Sequence, residues 1–149
     1  MGVKVFDQNG NESWYKEMRA NSERLSVFIP GHRLASGIQN GAHGAYSNIA
    51  CLNPFAALQW FELTKSDLPA ALELENRINK FMETLIAPFI TQQNFANHAC
   101  DRFMAQPGSW ANIGTNLRWP YQSIPQQYIS KIKPIAQHLI PEFFETKNP

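Results

Sequence analysis

The stretch from Gly41 to Pro54, reading GAHGAYSNIACLNP, limits the fold more than any other part of this 149-residue chain. A short apolar run between a glycine turn and an Asn-Pro helix start is the pattern of a buried strand feeding a helix. Two similar runs precede it. Val3 to Phe6 alternates with period two, which puts Lys4 and Phe6 on one face and Val3 and Val5 on the other. Leu25 to Ile29 is a second strand, stopped by Pro30-Gly31. Strands recurring at this spacing, with helices between them, predict a parallel sheet with right-handed crossovers.

The intervening segments supply the helices. Asn11 is placed to cap a helix over about 12–21, and Arg33 to Asn40 is a short helix closed by Gly41. Ala45 to Cys51 is the third strand. Asn53 caps and Pro54 opens a helix to about Lys65, and Ser66 caps a longer one. Its residues Leu68, Leu72, Ile78, Phe81, Met82, Leu85, Ile86 and Phe89 form an apolar stripe that Pro88 ends or kinks. A further helix spans about Gln92 to Ala105, burying Phe95, Ala99 and Phe103. Gly108 to Gln122 is a loop, and Ser123-Ile-Pro125 opens a last helix that Pro134 interrupts. The chain divides into a strand-bearing region, 1–66, and a helical region, 67–149.

Bulk properties narrow the partners. A net charge of +1 offers no basic field for a phosphate backbone, so nucleic acid is not expected. Cys51 and Cys100 read as buried thiols of a reducing compartment. No window approaches the ~20 apolar residues of a membrane span, and no leader pattern is present, so a cytoplasmic protein is expected.

The order of these units resembles the C-terminal half of the dihydrodipicolinate synthase/N-acetylneuraminate lyase family, from the sixth barrel strand onward. Val5 to Asn11 followed by Trp14 to Met18 is similar to the family's sixth strand and helix, and Gly41 to Pro54 to its last strand. Leu117 to Pro125, reading LRWPYQSIP, is similar to the loop before the family's final helix. The stretch Gly31 to Gly41 is about two residues shorter than the family's. The implied fold is a partial (β/α)8 TIM barrel, its last three βα units with parallel strands followed by a C-terminal helical extension. A complete barrel takes ~250 residues, so this chain does not hold one.

The resemblance also implies the chemistry. Family members cleave or condense 2-oxo acids such as pyruvate through a lysine imine, which serves as the electron sink. Phe6 falls at the position of that lysine and offers no nucleophile. Lys4, on the same face but one layer deeper, is the fallback nucleophile; its plainer role is a solvated or snorkelling side chain. Gly31, His32 and Arg33 follow the seventh strand at the pocket rim, where Arg33 is suited to hold a carboxylate and is equally a surface arginine. Tyr46 and Ser47 align with pocket-wall positions of the eighth strand, or are core. His43, His98 and His138 share no ligand spacing, and no metal or cofactor is expected. Trp110 and Trp119 flank a polar loop and either line a groove or, the plainer reading, pack that loop onto the helices.

Two functions follow. One is an aldolase-class lyase scaffold for 2-oxo acids, incomplete or inactive as an isolated chain. The other is a non-catalytic binding or regulatory module on the same half-barrel. Three parallel strands with apolar residues on both faces leave two open edges, so a homo-oligomer, or a complex with a chain supplying the rest of the barrel, is expected.

Overall fold

A computed structural model describes residues 1–5, 12–21 and 23–145. Phe6, the turn from Asp7 and the Asn11 cap lie outside the described residues. Three parallel strands, β1 (Gly2–Lys4), β2 (Ser26–Pro30) and β3 (Gly44–Tyr46), form a sheet in that order. The crossovers are α1 (Glu12–Asn21) and α2 (Leu34–Gln39), the latter entered through a 3-10 turn over Gly31–Arg33. The register aligns Lys4, Phe28 and Gly44 across the sheet, and Pro30 with Tyr46.

The two faces differ in chemistry. Val27, Ile29 and Ala42 pack with Tyr15 and Met18 of α1, and Val3, Val5 and Ala45 border this cluster. The opposite face carries Gly2, Lys4, Phe28, Gly44 and Tyr46. A Cβ at Gly2 or Gly44 would stand 3.2 Å from the Phe28 ring, so that ring spreads over both neighbouring strands. Phe28 remains 38% exposed. Apolar residues thus stand on both faces, as expected, with Phe28, Pro30 and Tyr46 on the second.

Strand β3 ends earlier than its apolar run suggests. Ser47 Oγ accepts the Ala50 N–H (3.1 Å) and Asn48 Oδ1 accepts the Ile49 N–H (3.0 Å), and these local bonds turn the backbone into a 3-10 turn over Ile49–Cys51. Gly41, with φ 93°, closes α2 in the left-handed conformation that a side chain would strain.

The helical region begins with α3 (Pro54–Ser66), capped by Asn53, whose Oδ1 accepts the N–H groups of Phe55 and Ala56. The next helix, α4 (Leu68–Phe81), is capped by Asp67 through the Ala70 N–H at 3.1 Å. Ser66 instead ends α3, so the expected cap moves by one residue. Pro88 neither stops nor breaks the rod. A π turn over Met82–Ile86 intervenes, with the Ala87 N–H bonded to the Met82 carbonyl, and α5 (Ala87–Thr91) continues beyond it. The wider turn shifts the carbonyl that the proline ring would otherwise strike.

The next helix, α6 (Asn97–Gly108), starts later than the sequence suggests, because Asn94 takes a left-handed conformation (φ 58°) and redirects the chain. Phe95 sits in that turn, against Phe89. Pro134 lies within a continuous α7 (Gln127–Leu139) and does not interrupt it. Ser130 and Pro134 are both exposed, so the carbonyl that loses its donor lies on a solvent-facing side of the helix, where the loss costs less than in the core. A short α8 (Glu142–Glu145) follows.

One apolar cluster joins α2, the turn after β3 and all the later helices, with Trp60, Phe81, Phe103 and Phe143 fully buried. Polar ties fix its periphery. Asn53 Nδ2 donates to the Phe143 carbonyl (3.1 Å), and Arg77 forks onto Glu142 (2.9 and 2.6 Å) while donating to the Leu139 carbonyl (3.0 Å). Phe81 has no exposed surface. Phe81→Ala is therefore expected to destabilise the protein by about 3–5 kcal/mol in a urea titration; a loss below about 1 kcal/mol would place the α4 stripe outside the core.

Candidate functional site

A cleft of about 790 Å³ opens at the carboxyl ends of the strands. One wall comes from the sheet: Lys4, the segment Pro30 to Arg33, and Tyr46 to Asn48. The other comes from two helical faces. Met82, Glu83, Ile86, Ala87 and Ile90 line it from the π turn and α5, and Asn97, Cys100, Asp101 and Met104 from α6. The four α6 positions are spaced i, i+3, i+4 and i+7, which makes them one face of that helix.

Of the residues singled out in the sequence, Lys4, Gly31, His32, Arg33, Tyr46 and Ser47 all meet in this cleft. Phe6 lies outside the described residues. Lys4 Nζ stands 4.0 Å above the Tyr46 ring, and the Tyr46 hydroxyl donates to the Val5 carbonyl (3.2 Å). These two contacts fix the end of β1 against β3. Gly31 is where the two strand-end loops touch. A Cβ there would overlap the Ser47 backbone and approach its Cβ to 2.9 Å, so the missing side chain makes room for Ser47. Other singled-out residues lie elsewhere. His43 Nδ1 accepts the Val27 N–H (3.1 Å), a structural role. Trp110 Nε1 donates to the Cys51 carbonyl (2.9 Å), packing its loop as expected. Trp119 does not pack: it is 92% exposed.

Sequence reasoning missed the helical wall. Asp101 is half-buried, and burial raises its carboxyl above the usual range, opposed by His98 and Lys4. Burial also raises both cleft thiols, with Asp101 adding to the effect: Cys51 moves up, and Cys100 reaches about 11. Both are therefore protonated at neutral pH and poor nucleophiles. The available signal was the polar spacing Asn97, Asp101 on an otherwise apolar α6 face, but nothing local indicates what that face meets. Among the described residues no three His, Cys, Asp or Glu side chains group as a metal site.

Glu75 holds the two walls together. Its Oε2 accepts the N–H groups of Ala35 (2.7 Å) and Ser36 (3.1 Å), tying α4 to the first turn of α2. Burial raises its carboxyl, while those donors and Arg33 pull it back down. A carboxyl raised in the folded state contributes stability below its ordinary value of 4.5 and loses it as pH climbs through the folded value. Glu75→Gln keeps the acceptor and removes that titration, so it is expected to be at least as stable as the wild type at neutral pH, with the difference shrinking in acid. Glu75→Leu strands two donors and is expected to cost about 1–3 kcal/mol. Chemical denaturation across pH reads both.

No family model matches the sequence, and no curated protein matches it. Solved structures do. YagE, a prophage protein of the dihydrodipicolinic acid synthase family from E. coli K12 in complex with pyruvate, is similar at a TM-score of 0.68 and 14% identity, over 93% of this chain and 46% of that one. A dihydrodipicolinate synthase family protein from Coccidioides immitis is similar at 0.66 and 18%, over 95% of this chain and 46% of that one. The chain thus spans about half the length of the structures it matches, and it has the fold of part of a dihydrodipicolinate synthase-like (β/α)8 barrel.

Proposed function

We propose that this chain is built on the scaffold of an aldolase-class lyase for 2-oxo acids, and that it binds such an acid without forming the covalent imine. The observation that carries this reading is the meeting of Lys4, Gly31, His32, Arg33, Tyr46 and Ser47 in one cleft at the carboxyl ends of parallel strands. Ligands of barrel and open α/β folds bind at that end of the sheet. The pyruvate held by YagE supports the same ligand class. Arg33 is the group suited to the carboxylate, and Tyr46 and Ser47 form the wall against the carbon chain. Phe6 takes the imine-lysine position of the sequence resemblance. Lys4, the fallback, is engaged over the Tyr46 ring and would have to leave it to reach a carbonyl.

Pyruvate followed by borohydride, read by intact-mass spectrometry, tests the chemistry. The expected result is no pyruvyl adduct and a reversible affinity in the millimolar range, about −4 kcal/mol. A reduced adduct mapped to Lys4 would overturn the non-covalent reading. An adduct gained by Phe6→Lys would support the placing of Phe6.

The second reading is a non-catalytic binding or regulatory module, favoured by the sheet face on which Phe28 stays exposed. Both readings propose association. The outer edges of β1 and β3 carry no neighbouring strand among the described residues, and paired or covered edges are the usual solution. Light scattering is expected to show a homo-oligomer, or a complex with a chain supplying the remaining barrel units. A monomer with a cooperative melt at micromolar concentration argues against association.

A further inference from the structure

The cleft is electrically two-sided. Lys4 and Arg33 stand on the strand wall, and Asp101 and Glu83 on the helical wall. Lys4 lies close enough to act on Asp101 electrostatically, yet the two form no direct ion pair. Asp101 also accepts no hydrogen bond from a described residue, although half of it is removed from water. A partly desolvated carboxylate in this state gains from any donor brought to it. Asn97, one helical turn earlier on the same face, adds a second polar group beside it.

We propose that the cleft takes a small acid bearing a hydroxyl group, with its carboxylate toward Lys4 and Arg33 and its hydroxyl donating to Asp101. The inference rests on the 2-oxo acid reading for the carboxylate end and adds the selectivity at the other end. A neutral hydroxyl fits better than an ammonium group, because the fields of Lys4 and His98 already reach Asp101. The thiols of Cys51 and Cys100 border the same wall but, held protonated, leave the carboxylate as the strong acceptor there. Asp101 is on this account a specificity residue that touches the ligand, set by the packing of α6 against the strand ends.

Titration calorimetry with pyruvate, 3-hydroxypyruvate and glycerate on the full chain tests the proposal. The wild type is expected to bind 3-hydroxypyruvate about tenfold more tightly than pyruvate, the factor a hydrogen bond to a charged group supplies. Asp101→Ala and the isosteric Asp101→Asn are both expected to shrink that preference to about twofold or less. Lys4→Met is expected to weaken both acids equally. Circular dichroism melts confirm that the variants fold, and the two Asp101 substitutions guard against a packing artefact in either. Equal affinity for the two oxo acids in the wild type, or a preference that survives in both Asp101 variants, overturns the inference while leaving the 2-oxo acid reading intact. Glycerate binding that depends on Asp101, with neither oxo acid bound, supports the hydroxyl contact and overturns the 2-oxo acid reading. Failure of all three ligands to bind overturns both.

Discussion

The buried carboxylate of Glu75 is the joint on which the rest of the molecule depends. It reaches from the middle of α4 to the N–H groups of Ala35 and Ser36, at the start of the helix that follows β2. Those donors have no intrahelical partner at a helix start, so the carboxylate completes α2 from a distance of about forty residues. Burial works against its charge and the two N–H groups work for it. The balance matters because α4 leads directly into the π turn that forms the far wall of the cleft. Where Glu75 docks, the distance between strand ends and helices is set.

The π turn makes a second contribution. An uninterrupted α-helix would carry the clash of Pro88 into its own preceding turn. The wide turn over Met82–Ile86 removes that clash and lets the rod continue, with Glu83 and Ile86 both facing the cleft. Such bulges recur at functional sites because they re-aim side chains without ending a helix. Here the result is one wall of mixed acidic and apolar character facing a wall that carries the cations.

That separation of charge gives the cleft its chemical character. A buried pair of touching ions neutralises itself and offers little to a ligand. Lys4 and Asp101 do not touch, and Lys4 is supported by the Tyr46 ring rather than by a carboxylate. The groups that usually draw attention as nucleophiles are the least suited to act: burial holds both thiols protonated. Recognition by charge and hydrogen bonding therefore explains these residues better than covalent attack.

The parallel sheet, the three βα units and the Asn53-Pro54 helix start are readable from residues near one another, because period, glycine turns and caps are local signals. Gly31 and Arg33 are legible on the cleft for the same reason, since both sit just past the end of a recognisable strand, whereas Tyr46 and Ser47 come to it only through the family resemblance. The errors were also local in appearance. Pro88 and Pro134 looked like helix breakers, and the run Ala45 to Cys51 looked like a long strand. Tertiary packing decided otherwise through a wide turn, an exposed face that water can serve, and side chains of Ser47 and Asn48 that capture backbone donors. The helical wall was decided only by the fold. Asp101 is more than fifty residues from the nearest strand end, and nothing in the pattern of α6 says which surface it will meet. A sequence states which face of a helix is polar. Only packing determines what stands opposite, and so whether a carboxylate lies in water or across a cleft from a lysine.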